Sequence, residues 1–207
     1  MRKASHLRYP LDRLFSSSSH LAILRALQDN REGMSGRAIA REAKINHQSC
    51  ALALRHLESL GLLQRQGTGR TQLIHLNFDN YLVKEIVLPL LKKERELLGQ
   101  IRRAIAEAFK GKAITITIFG SVARQQDAPG SDIDVLILSE GPDKRLTLEK
   151  ANRYSRDFQK RYGLRLSPMV MTPNEARRRT KGPEPLLRNI LSEGIDLLPR
   201  KLHGVLQ

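Results

Sequence analysis

Cysteine is almost missing from this sequence. Cys50 stands alone, so no internal disulfide can form, and a reducing compartment suits the chain. Cys50 itself reads as a small buried apolar residue. Long apolar runs are also missing. None approaches the ~20 residues that cross a bilayer, so no membrane partner is expected. The opening MRKASHLRYPLDRLF has basic residues without an apolar stretch behind them, so no secretory leader is expected and the protein is read as cytoplasmic. No internal repeat is visible. His20, His56 and His75 lack metal-ligand spacing with cysteine or with one another, which leaves them as surface or packing residues. Acidic side chains are in deficit: 36 Lys and Arg face 21 Asp and Glu, a formal charge of +15. The surplus divides as +10 over residues 1–112 and +5 over the remainder. Such an excess favours a polyanionic partner through phosphate neutralisation and counterion release.

What is present is the composition of a soluble globular protein, 40% apolar over 207 residues, enough for one large or two small domains. Ser16–Ser19 supplies N-cap candidates before Leu21, Ile23, Leu24 and Leu27, which recur at helical spacing. Asn30–Gly33 breaks that helix, Ser35 caps a second over 35–43, and Lys44–Asn46 makes a tight turn. Asn46 then caps a third helix with Cys50, Leu54 and Leu57 facing inward, and Gly61 stops it. Leu62–Gln66 and Arg70–Asn77, separated by Gly67-Thr-Gly69, read as a β-hairpin.

Three helices and a hairpin form the winged variant of the helix-turn-helix, whose third helix fits a major groove of double-stranded DNA. The outward positions are His47, Gln48, Ala51, Leu52 and Arg55. His47 and Gln48, near the helix start, suit base edges; Arg55 suits phosphate or guanine; Arg65 and Arg70 flank the wing turn and suit backbone or minor groove. Leu52 is an awkward DNA reader that fits a thymine methyl or a protein neighbour. The segment INHQSCALALRHLESLGLL resembles the recognition helix and exit turn of ArsR/MarR-type winged-helix regulators, a resemblance covering residues 18–78.

Residues 81–110 are helical by period, with an interruption expected at Pro89. Leu90, Leu97, Leu98, Ile101, Ile105 and Phe109 are expected to form one apolar stripe that packs on its own domain or contributes to a homodimer seam. Ala113–Phe119 and Ile133–Leu138 read as strands, 143–162 as an amphipathic helix and Leu164–Met171 as a third strand. Pro168 places that last strand at an edge or a bulge. Two short helices, Pro173–Lys181 and Pro185–Glu193, each begin with proline. Arg177–Arg179 read as a solvated helix face, and the basic tail after Pro199 as mobile.

The most specific signal is IFGSVARQQDAPGSDIDVLI, residues 118–137. Asp132 and Asp134 sit two apart at the start of a strand, so both carboxylates share one face, about 7 Å apart along the backbone. That spacing lets them converge on one hard cation or on a pair bridged by phosphate oxygens. Gly120-Ser121 follows a strand directly, where glycine lets the backbone approach a ligand and the Ser121 amide and hydroxyl can donate to phosphate. This pattern resembles the signature of minimal nucleotidyltransferases of the DNA polymerase β-like superfamily, over residues 92–198, including the closing Ile190–Asp196 segment. The resemblance implies ATP or another NTP on Gly120 and Ser121, Mg²⁺ or Mn²⁺ on Asp132 and Asp134, and a structural or phosphate-supporting Arg124. Active relatives usually carry a third carboxylate on the next strand. Ser167 takes its place here, and a neutral hydroxyl is a poor base and a poor Mg²⁺ ligand.

The expected fold is therefore α+β: an N-terminal winged helix-turn-helix domain at 1–80, a helical linker and first helix of the second domain at 81–111, and a small mixed-sheet α/β nucleotidyltransferase domain at 112–200, then a basic tail at 201–207. The expected function is Mg²⁺-dependent transfer of a nucleoside monophosphate to a protein, RNA or small-molecule hydroxyl by a DNA-binding protein. The resemblance also implies an antitoxin role, with a HEPN-type toxin as protein acceptor. The alternative is a catalytically impaired transcription regulator whose second domain only binds nucleotide or a partner protein.

Overall fold

A computed structural model describes residues 7–68, 72–183 and 185–207. The chain divides into two compact units, Met1–Leu97 and Leu98–Gln207. In the first unit, helices α1 (Pro10–Leu14), α2 (Ser18–Leu27), α3 (Gly36–Glu42) and α4 (His47–Ser59) precede an antiparallel pair, β1 (Leu63–Gln66) and β2 (Leu73–Leu76). The caps are those the sequence predicts. Ser17 accepts from the Ser19 amide, Ser35 from Ala38 and Asn46 from Ser49. Each satisfies a backbone donor that the first helical turn leaves open. The unit closes over Ile23, Leu24, Leu27, Ile39, Leu54, Leu57, Leu62 and Leu76. Cys50 lies within that core as a free thiol.

Pro89 does not interrupt its helix. A wide π turn, Val83–Val87, leads directly into α5 (Leu88–Ala108), and Pro89 falls in the first turn of that α segment. There its missing N–H costs little, and the widened turn keeps the ring off the preceding carbonyls. The single stripe expected along this helix resolves into two rows. Val83, Val87 and Leu91 enter the first unit's core, whereas Ile101, Ile105 and Phe109 enter the second's. Leu90, Leu97 and Leu98 are exposed and belong to neither.

The second unit is built on a four-stranded mixed sheet in the order β5-β4-β3-β6, where β3 is Thr115–Phe119, β4 Ile133–Leu138, β5 Leu166–Met171 and β6 Ile195–Asp196. β4 and β5 run parallel, joined through α7 (Lys144–Tyr162); the other pairings are antiparallel. Pro168 thus lies on an edge strand, where a missing ladder donor is tolerated. The period of two sorts the strand residues between two layers. Ile116, Ile118, Ile133, Val135 and Ile137 pack with Ile105, Phe109, Ala151 and Phe158. Leu136, Leu138 and Met171 pack with α8 (Pro173–Thr180), α9 (Leu186–Glu193) and α10 (Leu202–Leu206).

The basic tail is not loose, contrary to expectation. Leu202 and Val205, three apart on one face of α10, are both buried, and the Val205 carbonyl accepts from Arg177 Nη2 at 2.6 Å. Burial of two aliphatic side chains and the carbonyl bond together offset the entropy of ordering so short a segment. The same bond gives Arg177 a structural partner, while Arg178 and Arg179 follow on the same short helix.

Candidate active site in the second unit and basic groove in the first

The site begins where β3 ends. Gly120 follows Phe119 with φ +73, and the short helix α6 (Gly120–Ala123) starts there. Antiparallel pairing sets Phe119 opposite Asp134, so the turn at Gly120 folds back over that carboxylate. A Cβ at position 120 would stand 2.5 Å from Asp134 Oδ2. Glycine is therefore required twice, by its backbone angle and by the space that Asp134 takes.

On the other side of β4, the parallel register places Ser167 directly opposite Asp134. Its hydroxyl hydrogen-bonds the Asp134 carboxylate. Partial burial holds the Asp134 carboxyl above its ordinary value, against the hydrogen bond from Ser167; the neighbouring Asp132 adds to the rise and Arg124 opposes it. Asp132 sits just before β4, with Arg165 Nε 2.7 Å from its Oδ1. The Asp132 side chain as a whole is 37% exposed, yet its Oδ1 atom is buried and makes no directed hydrogen bond. The Arg165 contact is close but poorly aligned, and the lone pairs of that oxygen remain unsatisfied. Two carboxylates sharing one face, one with an orphaned buried oxygen, fit a hard divalent cation.

Residues 98–197 match the nucleotidyltransferase domain family. A Methanocaldococcus jannaschii protein, named as a candidate protein adenylyltransferase, is 29% identical over 103 residues, which is 49% of this chain and 69% of that protein. No solved structure matches. Within the matched residues, Ser121 is half-buried in the first turn of α6. Arg124, at the C-terminus of α6, pairs with Glu193 Oε2 at 3.0 Å and donates through Nε to Gln126 at 3.1 Å. It ties α6 to α9 and adds positive potential near Asp134. Among the described residues, no group of three or more His, Cys, Asp or Glu is arranged to hold a metal.

Arg165 escapes a reading of the sequence, because nothing local marks it; only the β4–β5 register brings it to Asp132. Its Nη2 also donates to the Gly130 carbonyl at 3.0 Å. The chain entering β5 thus sets a cation toward Asp132 and a hydroxyl toward Asp134.

In the first unit, His47, Gln48, Ala51 and Arg55 are exposed on α4, and Cys50, Leu54 and Leu57 are buried, as the helical period predicts. A groove of about 1260 Å³ runs between α3, α4 and the β1–β2 hairpin, lined by Arg37, His47, Ala51, Arg55 and Arg65 among others. Gln48 is exposed but lies outside this lining. Arg65 is engaged already: Nε meets Glu58 Oε1 at 2.5 Å and Nη1 donates to Gln72 at 3.1 Å. Arg70 lies outside the described residues. Arg37 is the addition that the sequence reading missed; its place two residues after the Ser35 cap, on an exposed position of α3, is the signal that could have found it.

His20 and His56 meet as packing residues. His56 Nδ1 lies 3.2 Å from His20 Nε2, and His20 Nδ1 lies 3.0 Å from the Leu14 carbonyl. That carbonyl can only accept, so His20 donates from Nδ1 and must accept at Nε2 from His56. The pair, with His20 buried and His56 half-buried, links α1, α2 and α4.

Proposed function

We propose that this chain is a DNA-binding protein whose second unit transfers a nucleoside monophosphate from ATP or another NTP to a hydroxyl, with Mg²⁺ or Mn²⁺. The observation that carries the reading is Gly120 folded against Asp134, with Asp132 on the same face. Asp132 and Asp134 would hold the metal, and the metal would supply charge neutralisation at the phosphates. Gly120 and Ser121 would approach the phosphates through backbone amides and the Ser121 hydroxyl. The acceptor oxygen bonds to the α-phosphorus, and the bond from that phosphorus to the pyrophosphate leaving group breaks. The acceptor hydroxyl's proton is released to solvent in this reading, the neutral Ser167 being a poor base for it. The name of the Methanocaldococcus relative supports a protein hydroxyl as acceptor and AMP as the transferred group. Incubation with α-labelled ATP, Mg²⁺ and candidate protein acceptors tests this. Label is expected on a protein band and is expected to vanish in Asp132→Ala/Asp134→Ala; transfer that survives the double variant refutes the assignment.

One observation favours a second reading. Ser167 donates to Asp134 where a third carboxylate would accept a proton, so a domain that binds nucleotide without turnover is the alternative. Calorimetry with Mg²⁺-ATP separates the two, since turnover generates heat beyond saturation and binding alone does not.

DNA binding rests on the first unit. A winged helix-turn-helix whose groove carries Arg37 and Arg55 beside an exposed His47 would grip a duplex through phosphates and base edges. Mobility shifts over a salt series should show affinity falling steeply with salt, and Arg55→Ala should weaken it. A flat salt response excludes phosphate-driven binding.

A further inference from the structure

The two strands that frame the candidate site carry opposed chemistry at matched positions. β4 offers Asp132 and Asp134; the chain at β5 answers with Arg165 and Ser167. Both pairs repeat at a spacing of two, so they share one face of the sheet. A site with three carboxylates concentrates negative charge and draws divalent ions by itself. Here two carboxylates face one guanidinium, which cancels half of that charge before any metal arrives.

The manner of the Arg165 contact is informative. A guanidinium built to hold a carboxylate permanently offers two parallel hydrogen bonds. Arg165 instead sets only Nε against Asp132 Oδ1, at 2.7 Å and without directed geometry, while Nη2 turns to the Gly130 carbonyl. Its side chain is 62% exposed, and exposed ion pairs are held weakly. So the buried oxygen of Asp132 is neutralised but not satisfied, by a largely exposed group whose one directed hydrogen bond is to the Gly130 carbonyl.

We propose that Arg165 is a resident counter-cation that keeps bare metal off Asp132 and transfers to the phosphates of the incoming nucleotide. Metal then binds well only together with the triphosphate. Asp132 is shared by the two positively charged occupants in turn, and the nucleotide phosphates receive the one that leaves. The inference rests on the nucleotidyltransferase reading of this site and assigns Arg165 as a positioning residue for nucleotide.

The test uses the full chain with Mn²⁺ alone, titrated by electron paramagnetic resonance, and with Mn²⁺ plus a nonhydrolysable α,β-methylene ATP analogue, titrated by calorimetry. Arg165→Gln is expected to tighten Mn²⁺ alone by about tenfold, since a unit charge a few ångströms away is removed. The same variant is expected to weaken the Mn²⁺-nucleotide complex by about tenfold. Arg165→Lys, which keeps the charge, should restore both values toward wild type. A residue that only braces the β4–β5 edge would move both affinities the same way or neither. Unchanged or weakened Mn²⁺ binding in Arg165→Gln, with nucleotide still bound by wild type, overturns this proposal alone. Absence of Mn²⁺-nucleotide binding by wild type overturns the nucleotidyltransferase reading, and this inference with it. Circular dichroism of each variant confirms that the fold is retained.

Discussion

Replacing Gly120 by alanine imposes two separable penalties. The first is conformational: φ is +73 at this position, and an L residue in the left-handed region costs roughly 1–2 kcal/mol. The second is spatial. The new Cβ would lie 2.5 Å from Asp134 Oδ2, so the carboxylate must swing away and give up its hydrogen bond from Ser167, worth about 1 kcal/mol. Together these predict a loss of roughly 2–3 kcal/mol. In an Asp134→Ala background the obstructing oxygen is gone, and the remaining Asp134 Cβ stands 3.6 Å away, an ordinary contact. Gly120→Ala should then cost only the conformational part. A double-mutant cycle, followed by urea unfolding and far-ultraviolet circular dichroism, should return a coupling of about 1 kcal/mol between the positions. Equal costs in both backgrounds, within about 0.3 kcal/mol, would show that Asp134 does not limit position 120. The same substitution should also abolish Mn²⁺ binding, because a displaced Asp134 cannot share an ion with Asp132.

Two further outcomes follow from other parts of the chain. Burial first, then the charges of His20 and Arg13, hold the His56 imidazole below its ordinary value. The unfolded chain therefore takes up the proton at higher pH, so the stability from this pair is full above about pH 6.5 and falls as pH drops through that value toward the folded pKa. Thermal melts of wild type and His56→Gln between about pH 5 and about pH 8 should show a slope in the first and a flatter line in the second; parallel curves refute the link. Leu202→Ala should cost roughly 2–5 kcal/mol as a core truncation, and deleting residues 201–207 at least as much. A tail whose loss leaves the urea midpoint unchanged would contradict its packing.

Much of the fold is legible because its signals are local. A serine or asparagine ahead of an apolar period announced the caps at Ser17, Ser35 and Asn46. β-branched alternation marked β3 and β4, and Pro168 marked an edge. The Gly120–Asp134 contact was half legible, since the motif names both residues but only pairing of β3 with β4 brings them together. What escaped depends on distance along the chain or on segments too short to show a period. Arg165 reaches Asp132 only through a parallel register set across the whole of α7. His20 and His56 meet from two different helices. Pro89 misled because the local rule predicts a break, and the wide turn before it removes the steric reason for one. The tail offered seven residues, too few for a period to announce burial.

The outer margins of the sheet in the second unit carry one more consequence. One rim is a strand interrupted by Pro168, and the other is a strand of only two residues, Ile195 and Asp196. Neither offers a continuous row of free backbone donors and acceptors, so neither can template another polypeptide or zip onto a second copy. Any polypeptide that docks on this unit would therefore lean on side-chain contacts rather than on an added strand.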